Sequence, residues 1–156
     1  MDSIDIKILD FLQTDATLTA KELASKLSLS PTPVYDRIRK LEKKGIIKQY
    51  VALLDAELLD KSLIVFLNLT IKEHHMEARN KLLKKLTDLK DMIELYHTSG
   101  TYDFLAKVRF SNIKEYKDFL INQIASIENI SDIESQIVLE EIKHSTKVNI
   151  SNDLKK

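Results

Sequence analysis

Between Ser30 and Gly45 the chain reads SPTPVYDRIRKLEKKG, a spacing of side chains suited to binding a polyanion. From Arg37 to Lys48 it carries six cations, Arg37, Arg39, Lys40, Lys43, Lys44 and Lys48, against one anion, Glu42. Lysine and arginine neutralise phosphates, and arginine also forks onto base edges. At 3.6 residues per turn, Thr32, Asp36, Arg39 and Lys43 share one helical face, with Lys40 beside them. Val34, Ile38 and Leu41 follow i, i+4, i+7 and make a buried stripe opposite. A compact helix with a basic outer face suits the major groove of a DNA duplex. The candidate contacts are Ser30, Thr32, Pro33, Tyr35, Asp36, Arg37, Arg39, Lys40 and Lys43. Thr32, Asp36 and Arg39 are best placed for base edges, because the N-terminal part of such a helix enters the groove. Arg37, Lys40, Lys43 and Lys44 are assigned to phosphates, which position without specifying. Asp36 would repel phosphate, so it either accepts from a cytosine amino group or orders Arg39 or Lys40. The plain alternative is a solvated basic face, the usual outcome of a charge run.

The elements around this helix decide between the two. Ser30 is a strong N-cap residue and Pro31 then sits at N1, where its missing N–H costs nothing. Thr32 capping Pro33 is a second possible start. Gly45 ends the run as a C′ glycine. Upstream, Thr19-Ala20-Lys21-Glu22 fits a capping box, and Leu23, Ala24 and Leu27 form an apolar stripe. Helices near 19–27 and 31–44 are thus joined by about three residues, the helix-turn-helix arrangement. A helix over 3–14, with Ile4, Ile8 and Leu12 inward, completes a three-helix core. After Gly45, Ile46, Ile47, Tyr50, Val51 and Leu53 predict short extended segments, a wing-like strand pair.

The second half changes character. Residues 63–71, LIVFLNLTI, are rich in β-branched and aromatic side chains and read as a strand. Leu82, Leu83, Leu86 and Leu89 give helical spacing over 75–89. Strands follow at 92–98, 102–110 and 133–142, with a helix over 112–127 that buries Tyr116, Phe119, Leu120 and Ile124. The order β-α-β-β-α-β is ferredoxin-like. The fold class is therefore α+β: a helix-turn-helix domain over 1–54, a linker over 55–61 and a βαββαβ domain over 62–156. Two helices cover one face of such a sheet. Strands apolar on both faces imply that a partner covers the other, and a homodimer through the sheet is the natural inference.

Composition removes several classes of function. Twenty-four Lys and Arg balance 24 Asp and Glu, so the chain has no net charge and no means of coating nucleic acid in bulk. A focused contact needs only local charge. There is no cysteine, which excludes disulfides and thiolate chemistry. The acidic start, MDSIDIKILDFL, does not read as a signal peptide, and no apolar run nears the roughly 20 residues that cross a bilayer. A cytoplasmic protein off the membrane is expected. His74, His75, His97 and His144 do not converge at metal-ligand spacing, so no metal, cofactor or catalytic residue is assigned.

Two motifs then mark a family. LSLSPTPVYDRIRKLEKKGIIKQYVALLD and GTYDFLAKV, in this order and separation, are similar to the Lrp/AsnC (leucine-responsive, feast/famine) transcriptional regulators. The resemblance runs from IDIKIL to VLEEIKHSTKVNI. It implies a DNA-binding helix-turn-helix domain and a βαββαβ domain that dimerises, often assembles dimers into octamers, and often binds an amino acid between subunits. In that light Gly100-Thr101-Tyr102-Asp103 is a ligand loop as well as a turn. Its backbone N–H groups can hold a carboxylate, while Asp103 holds an α-ammonium or fixes the loop. Tyr96, Thr98 and Ser99 line the approach. Ser135 stands where the family often has threonine. The resemblance implies a sequence-specific double-stranded DNA-binding regulator tuned by an amino acid. Two alternatives remain: a siroheme decarboxylase-like enzyme of the same architecture, and an architectural DNA-binding protein with no effector.

Overall fold

The fold is taken from a computed structural model that describes residues 1–150. It forms two compact units, one of Met1–Leu53 joined by the stretch that begins at Lys143, the other of Leu54–Ile142. Residues 143–150 thus group with the first unit.

In the first unit, α1 (Ser3–Thr14) opens with a capping box: the Asp2 carboxylate accepts from the Ile4 and Asp5 amides, and Asp5 reaches back to the Asp2 amide. The box predicted at Thr19 and Glu22 opens α2 (Ala20–Leu27). Ser28, left-handed at φ 56°, closes that helix and turns the chain. Ser30 is the backbone N-cap of α3 (Pro31–Lys43), which settles the start at Pro31. Gly45 follows at φ +69°, the left-handed conformation that favours glycine. Ile8, Leu9, Leu23, Ala24, Val34 and Leu41 make the core, and Ile150 from the returning segment packs at its margin. The Gln13 side-chain amide clips that segment by donating to the Val148 carbonyl (3.1 Å) and accepting from its N–H (2.6 Å).

The segment after Gly45 does not pair into strands among the described residues. Residues 46–54 hold no strand, and the N–H groups of Ile46 and Ile47 both turn back to the Leu41 carbonyl. With those donors spent on closing α3, residues 46–54 start no ladder among the described residues.

The second unit holds β1 (Leu63–Ile71), α4 (Met76–Thr87), β2 (Met92–His97), β3 (Phe104–Phe110), α5 (Ile113–Phe119), a π-helical turn (Leu120–Ile124) and β4 (Ile130–Ile137). All pairings are antiparallel, in the order β2-β3-β1-β4. Val65, Leu67 and Leu69 alternate with Phe66, Asn68 and Thr70, so the first set meets the helices and the second the open face. Phe104, Ala106, Val108, Phe110, Leu82, Leu86, Phe119 and Ile124 fill the helical side. Lys107 and Arg109 lie on the open face beside Phe66 and Ile64, their cross-strand partners. β4 starts earlier and ends earlier than its apolar pattern predicts. Its last partner, Ile137, lies opposite Val65 near the start of β1, so beyond Val138 no strand remains to pair with. Among the described residues no helix is long and apolar enough to cross a membrane.

Candidate nucleic-acid interface and ligand loop

The outer face of α3 presents Thr32, Pro33, Tyr35, Asp36, Arg39, Lys40 and Lys43 to solvent, while Val34 and Leu41 are buried beneath it. A helix N-terminus ordinarily offers free N–H groups to phosphate. Here Pro31 and Pro33 remove two of the first three, leaving only that of Thr32. Anchoring therefore falls to side chains. The Ser30 hydroxyl makes no capping bond and stays available at the mouth of the helix. An open groove of about 740 Å³ runs alongside, lined by Asp5, Pro33, Asp36, Arg37, Lys40 and Lys44 among others.

The two arginines of α3 differ sharply. Arg37 turns inward, and its Nη1 donates to Asp2 Oδ2 at 2.6 Å and Asp5 Oδ1 at 2.7 Å. One nitrogen thus ties α3 to the first turn of α1, and Arg37 does not stand among the outward cations. Both hydrogen bonds raise its pKa further. Asp2 is held below the ordinary carboxylate value, first by the Asp5 amide and then by Arg37. Arg39 points outward. Its Nε donates to the Tyr35 hydroxyl at 3.0 Å, and its guanidinium lies 5.4 Å from the Tyr35 ring centre. Its Nη1 is 3.7 Å from Glu42 Oε2. Tyr35 and Glu42 therefore do the ordering of Arg39 that the sequence left open to Asp36.

At one end of the sheet, Tyr96, Thr98, Ser99, Gly100, Thr101, Tyr102 and Asp103 come together in the β2–β3 connection. Thr98 closes it twice, its N–H donating to the Asp103 carbonyl (3.0 Å) and its hydroxyl to the Tyr102 carbonyl (2.8 Å). Gly100 sits at φ +131° with open space where a Cβ would stand. Asp103 Oδ2 accepts from the Ile71 N–H at 2.9 Å, and Oδ1 lies 3.6 Å from His74 Nδ1. Both carboxylate oxygens face the loop's own frame, an arrangement that fixes the loop. The free surface is left to Ser99, Gly100 and Thr101, all exposed. Tyr96 donates to Glu94 (2.6 Å) and Tyr102 to Glu134, and each carboxylate raises its partner phenol's pKa.

Ser135 is placed differently. It pairs with the buried Leu67, so its side chain is on the helical face, where its hydroxyl accepts from Tyr116. Within one chain it does not join the loop. Glu134, its neighbour on the opposite face, does so through Tyr102. Sequence reasoning missed Asp2, Asp5, Glu42, Glu134 and Tyr116 because each meets its partner through tertiary packing or a side-chain contact that periodicity does not report. Local signals were the spacing Asp2 to Asp5, which matches a capping box, and the i, i+3 spacing of Arg39 and Glu42 on α3. Among the described residues no three His, Asp or Glu side chains gather as metal ligands.

Comparison with known proteins agrees with this layout. Residues 1–48 match a family described as winged helix-turn-helix DNA-binding, and residues 64–148 one described as the Lrp/AsnC ligand binding domain. The glutamate uptake regulatory protein of Zymomonas mobilis is 38% identical over 94% of this chain and 88% of its own. The leucine-responsive regulatory protein of Escherichia coli K12 is 33% identical over 95% and 90%. A Neisseria meningitidis transcriptional regulator solved in complex with L-Met superposes with a TM-score of 0.92, at 32% identity and 96% coverage of both chains. An AsnC family regulator from Agrobacterium tumefaciens does so at 0.92, with 36% identity and coverage of 96% and 97%.

Proposed function

From the premise that this chain belongs to the Lrp/AsnC family of DNA-binding transcriptional regulators, we propose that it reads a pseudo-palindromic operator as a homodimer, in the cytoplasm, under amino-acid control. The observation that carries the reading is the outward face of α3, where Thr32, Asp36, Arg39, Lys40 and Lys43 stand exposed over a well-packed three-helix core. Thr32, Asp36 and Arg39 meet base edges, and Lys40 and Lys43, with the Ser30 hydroxyl, hold phosphates. Arg37 supports α3 from behind. Two such helices, one per protomer, address half-sites in successive major grooves.

The mixed open face of the sheet, with the half-buried Phe66 and Leu105 among charged residues, supports dimerisation there and further assembly of dimers into octamers. The amino acid binds at the Ser99–Asp103 loop between subunits. Its carboxylate meets loop N–H groups and the exposed hydroxyls, and a neighbouring chain supplies what one protomer leaves open. The L-Met complex of the Neisseria relative and the name of the Zymomonas relative support a small amino acid. A ligand that binds one assembly better than another shifts DNA affinity by linkage. The intact basic helix separates this reading from the decarboxylase-like alternative.

The test is selection of a preferred duplex from a randomised pool, then affinity measurement with each of the twenty amino acids present. An enriched palindromic site, with affinity altered by at least one amino acid, is expected. Equal affinity for all duplexes returns the protein to the architectural class. A thermal-shift screen showing no response to any amino acid makes the Gly100–Asp103 loop a structural turn.

A further inference from the structure

Glu42 is the one anion in the run of cations from Arg37 to Lys48, on a helix that is to approach phosphates. Such a charge weakens binding unless it does something else. Its carboxylate bridges two side chains. Oε2 lies 3.7 Å from Arg39 Nη1, and Oε1 accepts from the Tyr50 hydroxyl at 3.0 Å. Arg39 Nε is engaged in turn by Tyr35 at 3.0 Å. Tyr35, Arg39, Glu42 and Tyr50 are therefore one continuous polar chain along α3. Its last member lies in the extended segment after the helix, four residues before the chain enters the second unit at Leu54.

The geometry points to Tyr50 as a positioning residue for base reading: it fixes the Glu42 carboxylate, which with Tyr35 holds the Arg39 guanidinium in one orientation. This rests on the proposed role of Arg39 as a base reader. A free arginine has many rotamers, and ordering it on the DNA opposes binding. With Nε turned to Tyr35 and Nη1 3.7 Å from Glu42, the guanidinium is oriented while its side chain stays 66% exposed, and its Nη1–Nη2 fork can meet a base edge. That fork matches guanine O6 and N7. Isolated surface ion pairs contribute little, but here two neighbours converge on one guanidinium and a third fixes one of them. Burial and the Glu42 carboxylate both raise the Tyr50 pKa, so the phenol keeps its donor proton at neutral pH. Arg39 is raised too, chiefly by Tyr35. Because Tyr50 belongs to the segment leading out of the unit, the orientation of the reader depends on where that segment runs.

The experiment uses full-length protein and the duplex enriched from a randomised pool, with its set of single base-pair variants. Arg39→Ala is expected to erase discrimination at one base-pair position. Tyr50→Phe, which removes only a hydroxyl, is expected to lower discrimination at that same position by about fivefold, the equivalent of one hydrogen bond. Its melting temperature, salt slope and sedimentation are expected to stay as in the parent. Glu42→Gln reproduces the positional loss, and neither change adds to Arg39→Ala in the double variants. Unchanged discrimination in Tyr50→Phe, an equal loss on every duplex, or a loss that persists in the Arg39→Ala background overturns the proposal. If Arg39→Ala weakens all duplexes alike, the base-reading premise falls, and the proposal with it.

Discussion

Replacing Arg37 by methionine separates a scaffold role from a phosphate contact. Methionine keeps an unbranched apolar stem, so the change removes mainly the guanidinium. Two hydrogen-bonded ion pairs go with it. The pair with Asp5, at 2.7 Å, is the better shielded, with side chains 30% and 17% exposed. Hydrogen bonds to charged groups contribute about 1.5–3 kcal/mol, and solvent screening brings this one to the lower part of that range. The pair with Asp2 is about half exposed on the acid side and adds about 0–1 kcal/mol. A total near 2 kcal/mol corresponds to roughly thirtyfold faster opening of the first unit. Hydrogen exchange resolves this by element: amides of α1 and α3 lose protection, while those of β1 and α4 provide the internal control. The salt dependence of DNA affinity is expected to stay unchanged, whereas loss of a true phosphate contact lowers its slope by about 0.9. The pH dependence has a definite sign. Asp2 is depressed from its ordinary 3.8. Its stabilisation is therefore present above about pH 4 and fades as pH falls through the lowered value, so the difference between parent and variant narrows in acid. Unchanged protection with a reduced salt slope would falsify the scaffold assignment.

Further predictions concern other parts of the chain. Gly100→Ala meets no steric contact, so its whole cost is the backbone conformation at φ +131°, about 1–3 kcal/mol; thermal unfolding gives the loss, and any amino-acid-induced shift is expected to vanish with it. Lys61 Nζ, at 2.6 Å, and the Ser111 amide hold Glu115 down at about 2. Its stabilisation is present above the unfolded value near 4.5 and is lost as pH falls toward 2; urea midpoints of Glu115→Gln are expected to lie below the parent at neutral pH and converge with it across that window. Gln13→Ala removes both bonds to Val148, so tryptic cleavage after Lys143 and Lys147 is expected to quicken roughly tenfold; an unchanged rate shows that the packing of Ile150 and the Lys147–Thr14 bond hold the segment.

What could be read in the sequence was what local rules govern. The caps at Thr19 and Ser30, the glycine after α3 and the strand at Leu63–Ile71 rest on near neighbours, and they stand where propensity and periodicity put them. The boundary of β4 depends on a distant partner. β4 was drawn to Ile142 by its apolar residues, but a strand lasts only as long as its ladder, and β1 ends the ladder near Ile137 and Val138. The helix over 112–127 changes register at Leu120, where the Ala125 N–H bonds to the Leu120 carbonyl and tightens nothing that a 3.6-residue pattern would reveal. The segment after Gly45 has β character, but among the described residues it pairs with no strand of this chain. The candidate site divided the same way. Exposure of α3 followed from helical geometry. The inward turn of Arg37 required Asp2 and Asp5, more than 30 residues away, and the face of Ser135 required the β1–β4 register.

The topology also bears on how a ligand can act. The chain enters the second unit just before β1 and leaves it just after β4, and these strands are antiparallel neighbours with Val65 opposite Ile137. Entry and exit therefore lie at the same end of the sheet. The candidate ligand loop lies at the other end, where the Asp103 N–H bonds to the Leu69 carbonyl and its carboxylate to the Ile71 N–H. β1 is nine residues long, so the two ends are roughly 27 Å apart. Between them β1 is hydrogen-bonded on both sides and packed on Leu82, Leu86 and Phe119, and the β1–β4 register shifts between Thr70 and Ile71, at the loop end. A small ligand at the loop has little means of moving the far end of so stiff an element. It has every means of changing what the loop itself touches. Control through the packing of subunits around Ser99–Asp103, rather than through distortion of the sheet, is the mode this geometry favours. It requires the amino-acid response of DNA binding to vary with protein concentration, and a response identical for dimers and larger assemblies would refute it.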